Sequence, residues 1–279
     1  MLKFLSLSSG SCGNCYFLSD GGSGLLIDAG VSVRRLKKTL MEHGLGTESF
    51  QAVLVTHDHL DHIRHLGSYC KHLKKPVYAT SVLHEALSRH TFTRDYIAGC
   101  RRVLPDDGPL RINLGADGND NPLVSHFVVP HDATQTVGYF IEWSGVSFFL
   151  MTDAGRATDE AIEYARRSDA VVFESNYDTG MLIGGPYTHE LKMRICQGNG
   201  HLSNDECASA VRRFWHPGLK NLFLCHLSEN NNTPALAFGA TAEALRSIPS
   251  EPGLTAKDIT NLQTLPRTNA SVMFTLTAR

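Results

Sequence analysis

The sequence has no long hydrophobic run and almost no net charge. Its 279 residues carry 26 Lys and Arg against 28 Asp and Glu, which gives a net charge of −2. The chain therefore lacks the overall positive field that many nucleic-acid-binding proteins show. No apolar stretch reaches the ~18 residues of a membrane span, and the N-terminal MLKFLSLSSG lacks the longer apolar region of a signal peptide. These absences predict a protein that does not associate with membranes.

A regular cysteine framework is also missing. The seven cysteines are odd in number and scattered along the chain, unlike those of a small secreted disulfide-rich protein. Cys12 and Cys15 form a C-x-x-C pair, a spacing found in redox and zinc sites, but no second such pair follows. We therefore expect a reducing, cytoplasmic location. Cys15 is expected to be a small buried residue near a turn between the first two strands, and Cys12 to be incidental.

Strand-like and helix-like segments alternate along the chain. Ser203 and Glu206 have the S-x-x-E spacing of a capping box and predict the start of a helix. Apolar residues at helical spacing, or between cap signals, predict helices over 31–44, 63–75, 81–90, 158–168, 204–214 and 234–247. Apolar and aromatic runs predict strands over 24–30, 51–56, 123–130, 136–143, 146–155, 170–175 and 221–226.

The C-terminal region is predicted to be a polar loop, 249–270, followed by a closing strand over 271–278. Between 153 and 226 the pattern predicts two helices and two strands. Both halves of the chain mix strands with helices, and no linker separates them. We therefore expect one α/β domain, residues 1–279, with two sheets between layers of helices.

The unusual residue is histidine, with 14 copies. The segment VLVTHDHLDH places His57, His59, Asp61 and His62 between an apolar strand and a helix. Zinc and similar metals take imidazole and carboxylate ligands. Alternate residues at a strand end can point the same way, so His57 and His59 can share one metal, while Asp61 and His62 can turn towards a second. A lone histidine is more often a surface or core residue, but four ligand-type side chains at this spacing predict a metal site.

This H-x-H-x-D-H segment resembles the signature of the metallo-β-lactamase superfamily. The later motifs of that family also follow in order, each at the end of a predicted strand. They are Asp28 in LLIDAG, His131 in VVPHDA, Asp153 in FLMTDAG and His226 in LFLCHLS. The resemblance covers the chain from about Leu7 to about Ile248. The other histidines of the first half, His65, His72, His84 and His90, match no motif and are expected to be surface or helix residues.

The resemblance implies an αββα sandwich with two divalent metal ions, Zn²⁺ or Mn²⁺, at one edge. It assigns His57, His59 and His131 to the first metal. It assigns Asp61, His62 and His226 to the second metal, with Asp153 bridging the two. Asp28 would orient the histidine loop without binding metal.

A two-metal site of this kind hydrolyses phosphodiesters, thioesters, lactones and lactams alike. Asp153 replaces the cysteine of some β-lactamases, and His59 stands where flavin-linked diiron proteins have glutamate. Three stretches, SLSSGSCGNC, GNGHLSN and CHLSENNNTPALA, resemble a smaller branch, the YycJ/WalJ-type relatives of RNase J that degrade DNA from 5′ ends. The segment between Asp153 and His226 is too short for the β-CASP domain of RNase J, as expected for that branch.

The branch resemblance implies a 5′→3′ exonuclease with a nucleic acid substrate, DNA rather than RNA. Metal-bound hydroxide would attack phosphorus, with Asp61 orienting or deprotonating it. Catalytic His201 and nearby Asn176 would hold non-bridging oxygens or protonate the leaving oxygen, although His201 could instead anchor a loop and Asn176 could cap a turn. Three further polar side chains are candidates for hydrogen bonds to a substrate phosphate: Ser11, Asn14 and Ser228.

Two other functions stay open from the sequence. A small-molecule hydrolase acting on lactones, thioesters or cyclic phosphodiesters fits the mild negative charge better than a nuclease does. A metal-binding module without catalysis is less consistent with seven intact ligand positions. A long groove lined by basic clusters, such as Arg34–Lys38, Lys71–Lys75, Arg101–Arg102 or Arg212–Arg213, would favour the nuclease. The oligomeric state is not predicted.

Overall fold

The computed structural model describes residues 1–115 and 120–278. Its strands are β1 (Leu2–Gly10), β2 (Gly13–Ser19), β3 (Gly24–Ile27), β4 (Ala52–Leu54), β5 (Val77–Ala79), β6 (Arg101–Val103), β7 (Leu110–Arg111), β8 (Leu123–Val129), β9 (Thr136–Trp143), β10 (Val146–Met151), β11 (Ala170–Glu174), β12 (Asn221–Cys225), β13 (Pro249–Glu251), β14 (Leu254–Thr255), β15 (Asn261–Thr264) and β16 (Phe274–Leu276). Its helices are α1 (Val33–Glu42), α2 (Leu60–Ile63), α3 (Leu66–Leu73), α4 (Ser81–Arg89), α5 (Asp159–Ala165), α6 (Thr179–Gly184), α7 (His189–Cys196), α8 (Asn204–Phe214), α9 (Pro234–Arg246) and α10 (Ala256–Ile259), besides a 3₁₀ turn at Thr47–Ser49.

The strands form two mixed sheets over the described residues. The first has the order β16-β1-β2-β3-β4-β5-β6, and the second has the order β15-β12-β11-β10-β9-β8-β7. In each sheet one half is antiparallel and the other half is parallel: β3 to β6 in the first sheet, and β10, β11, β12 and β15 in the second. The strands β13 and β14 form a separate hairpin.

Alternating side chains of the second sheet separate the two cores. Phe148 and Leu150 of β10 belong to the cluster between the sheets, whereas Phe149 and Met151 belong to the cluster under the outer helices. This is the two-residue period of a strand that is buried on both faces. The predicted αββα sandwich is therefore confirmed.

The parallel halves position the candidate site. Asp28 follows β3, Asp153 follows β10, Glu174 ends β11 and His226 follows β12. The carboxyl ends of parallel strands meet at one edge of a sheet, where ligands bind in open α/β structures. Because both sheets place this edge on the same side, chemistry-bearing residues from both halves of the chain lie together.

Several predicted elements are confirmed and several are wrong. The helix over 204–214 begins at the predicted Ser203–Glu206 capping box, and Thr233 caps α9 as its Thr-Pro start indicated. The predicted helix over 63–75 is two helices, α2 and α3. The region 249–270 is not a plain loop, because it contains a hairpin, α10 and β15, which pairs with β12. The closing strand is shorter than predicted.

The segment between Asp153 and His226 contains two more helices than predicted. The helices α6 and α7 lie in a stretch rich in glycine and threonine, where the helical pattern is weak. Capping side chains define them instead, since Asp178 accepts from the amide of Met181 and Thr188 from the amide of Leu191. Across the described residues, we find no helix of the length and apolar character that a membrane crossing needs.

Candidate metal centre

Two groups of ligand-type side chains converge at the shared sheet edge. His57, His59 and His131 form the first group. Asp61, His62, Asp153 and His226 form the second group. In each group the ligand atoms lie within 4.8 Å of one another. The structure therefore assembles all seven residues that the sequence proposed as metal ligands.

Outer hydrogen bonds fix which ring nitrogens face inward in the first group. His131 Nδ1 lies 2.7 Å from the carbonyl oxygen of Gly200, and His59 Nε2 lies 3.2 Å from the carbonyl oxygen of Asp132. A carbonyl only accepts, so these nitrogens carry the hydrogens. The lone pairs lie on His131 Nε2 and His59 Nδ1, which are 3.2 Å apart. Orienting contacts of this kind are typical of metal-binding histidines.

His57 supplies the third nitrogen of this group. Its Nδ1 lies 3.0 Å from Thr56 Oγ1, whose hydroxyl donates to Asp28 Oδ2. His57 Nε2 is buried and has no hydrogen-bond partner among the described residues. Burial, together with the nearby His62, lowers the pKa of His57 well below its usual value, so the imidazole stays neutral. A buried, neutral and unpartnered nitrogen fits a metal ligand.

Asp28 supports the second group from below. Its carboxylate lies 2.7 Å from His62 Nδ1 and accepts the amide hydrogen of Thr56 at 2.8 Å. Asn14 Nδ2 donates to Asp61 Oδ2 at 3.1 Å and lies 2.9 Å from His62 Nε2. Both Asp28 and Asn14 are fully buried. They hold His62 and Asp61 in place from the protein side.

Asp153 reaches both groups. Its Oδ2 lies 3.1 Å from His62 Nε2 and 2.6 Å from His226 Nδ1, and its Oδ1 lies 3.8 Å from His131 Nε2. Burial alone would raise the pKa of Asp153, but His226 and His62 hold it well below its usual range. The ionised carboxylate thus lies between the two groups, in a bridging position.

Three of the strand-end residues have left-handed backbones. The φ angles are +64° at Asp28, +55° at Asp153 and +52° at His226. This conformation costs a non-glycine residue about 1–2 kcal/mol. Such strain persists where the surrounding structure enforces it and is concentrated at functional sites.

A residue pair missed in the sequence extends the centre. Glu174 is fully buried at the end of β11 and accepts from the amide of Ala154 at 2.8 Å. Its other oxygen lies 2.7 Å from His201 Nδ1. Burial would lower the pKa of His201, but the charge of Glu174 and this hydrogen bond raise it to about 9. The available signal was a carboxylate ending an otherwise apolar strand, AVVFE.

Glu174 and His201 also form a third ligand-type group with Asp153 and His226. The oxygens of Glu174 are already used by His201 and by backbone amides. This third group is therefore less suited to a separate metal than the first two. Its geometry instead orients His201, whose Nε2 is left towards the open side of the centre.

A cleft of about 340 Å³ opens over the centre. His59, Asp61, Asp153, His201 and His226 form its floor, and its wall includes Ser11, Asn176, Tyr187, Arg194 and Ser228. The charge of Arg194 is directed at Asp132, with which it forms an ion pair. The sequence gave no reason to single out Asp132, Tyr187 or Arg194.

Four residues were predicted to contact substrate, and the structure places them differently. Ser11 is exposed at the turn between β1 and β2, and Ser228 is partly exposed, so both face the cleft. Asn14 is fully buried beneath Asp61 and His62, so its prediction as a substrate-binding residue is wrong. Asn176 lines the cleft, but its side-chain amide donates to the carbonyl oxygen of His226 at 2.8 Å.

The chain is similar to known proteins of one superfamily. A sequence profile described as "Beta-lactamase superfamily domain" matches residues 24–226. The chain belongs to the β-lactamase superfamily. Exodeoxyribonuclease WalJ of Streptococcus pneumoniae is 31% identical over 235 residues, which are 84% of this chain and 85% of WalJ. Exodeoxyribonuclease YycJ of Bacillus anthracis is 31% identical over 245 residues, 88% of this chain and 89% of YycJ.

Solved structures of this superfamily share the fold. Zn²⁺-bound PqqB from Methylobacterium extorquens superimposes with a TM-score of 0.70 at 17% sequence identity, covering 96% of this chain and 99% of PqqB. At this identity the likeness concerns the fold alone. Together with the two relatives above, it confirms the predicted superfamily and its YycJ/WalJ-type branch.

Close backbone packing in this superfamily member depends on Gly30. A Cβ atom at this position would lie 1.9 Å from the carbonyl oxygen of Asp61 and 2.4 Å from the amide nitrogen of Asn14. We expect Gly30→Ala to move the Asp61 loop away from β2, lower the free energy of unfolding by about 1–3 kcal/mol and reduce hydrolysis more than tenfold. Thermal unfolding and a kinetic assay measure the two effects.

Gly239→Ala is the matched control for this prediction. Gly239 lies within α9, and its added Cβ meets no atom within 4 Å. Alanine in a helix interior is favoured over glycine by about 1 kcal/mol, so this variant should be at least as stable as the wild type. Wild-type stability and activity in Gly30→Ala would contradict the packing argument.

Proposed function

We propose that this protein is a metal-dependent hydrolase that removes nucleotides from the 5′ end of DNA. The observation that carries the proposal is the convergence of two ligand groups on one sheet edge, with Asp153 between them. The relatives named exodeoxyribonuclease direct the choice of substrate towards DNA.

The two groups fit two divalent metal ions. His57, His59 and His131 would hold the first, and Asp61, His62 and His226 would hold the second, with Asp153 shared. The unpartnered Nε2 of His57 and the carboxylates that surround His62 both favour a cation at these positions. Zn²⁺ or Mn²⁺ bound here would lower the pKa of a shared water and stabilise charge on the attacking and leaving oxygens.

The chain's own groups complete the reaction. Asp61 is held from below by Asn14 and lines the cleft, where its carboxylate orients the attacking water by accepting a hydrogen from it. His201, held at Nδ1 by Glu174, presents Nε2 to the cleft and protonates the leaving oxygen. Ser11 and Ser228 are placed to donate hydrogen bonds to phosphate oxygens.

A small-molecule hydrolase is the second candidate. The cleft is small, and its wall contains none of the four basic clusters singled out in the sequence, as far as the described residues show. Lactones, thioesters and cyclic phosphodiesters need no long basic surface. This candidate therefore requires a direct test.

The test is a substrate panel on the metal-loaded protein. The panel contains DNA with a free or blocked 5′ end, DNA with a blocked 3′ end, matched RNA, a lactone and a thioester. We expect release of nucleotides from DNA with a free 5′ end, unaffected by the 3′ block and abolished by the 5′ block. Hydrolysis of only the lactone or thioester would replace this proposal by the second candidate.

A further inference from the structure

The N-terminal half of α1 carries a basic cluster that the proposed reaction leaves unused. Arg34, Lys37 and Lys38 are exposed. Arg35 is half-buried and donates to the backbone carbonyls of Leu7 and Thr268. Arg35 thereby ties the C-terminal segment to β1 and α1, whereas the other three cations face solvent.

The placement of these charges opposes the stability of the helix. Arg34 and Arg35 lie in the first turn of α1, which has no acidic residue, and the last turn has no basic residue. The positive end of the helix dipole disfavours cations in the first turn by about 0.3–1 kcal/mol each. A stabilising surface would have the reverse arrangement, so this cluster is better explained by binding of an anion.

A groove beside α1 brings this cluster together with the C-terminal segment. We call it the α1 groove, and it is lined by Ser32, Arg34, Lys38, Thr268 and Asn269 among others. Lys38 makes an ion pair with Glu42 at 3.7 Å, in which both side chains are more than half exposed. An exposed pair of this kind contributes little, and Lys38 can exchange it for a phosphate.

The α1 groove is continuous with the cleft over the metal centre. Ser228 lines that cleft, and its carbonyl oxygen accepts from Arg267 Nη1 at 3.0 Å. Thr268 and Asn269, the next residues along the chain, line the α1 groove. A polar surface therefore runs from the metal centre past Arg267 to Arg34 and Lys38.

The chain connects the two places a second time through the residues that precede α1. Asp28 contacts His62 directly, and Ala29 donates its amide hydrogen to the carbonyl oxygen of His62 at 2.7 Å. An extended chain spans at most ~3.6 Å per residue, so the Cα atoms of Asp28 and Arg34 lie within about 20 Å. Since a strand carries one phosphate per ~3.4 Å of helix axis, the groove is within reach of about six nucleotides.

We propose that the α1 groove binds the phosphate backbone of the DNA strand that continues from the metal centre. The inference rests on the proposed function, because the strand must begin where its terminal phosphodiester is cleaved. A protein with a net charge of −2 needs such a local basic path to retain a polyanion. Arg34 and Lys38 supply the contacts, and Arg35 fixes the wall they share with the C-terminal segment.

The experiment compares two double variants on long and short substrates. Arg34→Gln with Lys38→Gln removes two charges from the groove. Arg212→Gln with Arg213→Gln removes two charges from the last turn of α8, which runs away from His201. Kinetics are measured over a salt series on a 20-nucleotide single-stranded DNA and on thymidine 5′-p-nitrophenyl phosphate, which is too short to reach the groove.

For the groove variant we expect KM on the 20-nucleotide DNA to rise about tenfold. The slope of log(kcat/KM) against log[salt] should become shallower by about 1–2, since each lost phosphate contact removes close to one unit. The loss should be confined to the long DNA, and the control variant should behave like the wild type.

Three results would overturn the inference. They are an unchanged KM and salt slope in the groove variant, an equal loss in both double variants, and an equal loss on the short substrate. The second would indicate a general charge effect, and the third would indicate damage to the metal centre through residues 28–32. Each is distinct from failure of the proposed function, in which the wild type would not degrade DNA at all.

Discussion

Alanine at His59 or at Asp61 is expected to lower DNA hydrolysis at least about 10³-fold without unfolding the chain. His59 belongs to the first ligand group and Asp61 to the second, so each variant removes a ligand from a different proposed metal. Metal ions stabilise charge in hydrolytic transition states by several kcal/mol, and ~4 kcal/mol corresponds to about a thousandfold in rate. Steady-state kinetics on 5′-phosphorylated DNA measure the loss.

The fold should survive because both side chains are partly exposed at the cleft and neither belongs to a hydrophobic core. Circular dichroism and thermal unfolding check this point. Asp58→Asn is a suitable control, since Asp58 lies within the same motif but its carboxylate contacts Thr134 and no ligand group contains it. Retained hydrolysis in both alanine variants would contradict the two-metal mechanism.

The second large effect is expected at the pair Glu174 and His201. A general acid contributes typically 10²–10⁴-fold, so His201→Ala should lower hydrolysis of DNA by about that factor. Glu174→Gln keeps the shape of the buried side chain but removes its charge, so it should produce part of the same loss. His90→Gln, a change on the far side of α4, is the control.

The choice of leaving group separates proton donation from a structural role. The p-nitrophenolate ion leaves without a proton, so His201→Ala should lose much less activity on thymidine 5′-p-nitrophenyl phosphate than on DNA. The same rescue is expected for Glu174→Gln, because Glu174 acts through His201. Equal losses on the two substrates would show that the pair only holds the loop before α8.

Much of the centre was readable from the sequence because its ligands follow strands. Apolar runs such as VLVT and FLMT predict where a strand ends, and His57 or Asp153 comes directly afterwards. The carboxyl ends of neighbouring parallel strands meet at one edge. Order along the chain therefore translated into proximity in space, even for residues as distant as His57 and His226.

The parts that were missed depend on contacts that no local pattern records. Asn14 was expected to face substrate, but pairing of β1 with β2 buries it beneath Asp61 and His62. Glu174 was overlooked because a carboxylate inside an apolar strand makes sense only when His201 is beside it. The strand β15 is short and polar, and it forms because β12 offers a parallel edge.

The most direct test of the central claim is a metal titration of the metal-free protein, with the rate of DNA hydrolysis as the readout. If both ligand groups bind metal and act together, the rate should reach its maximum at two equivalents of Mn²⁺ or Zn²⁺ per chain, and His59→Ala should bind one ion fewer. Full activity at one equivalent, or activity that persists in the metal-free protein, would contradict the two-metal centre.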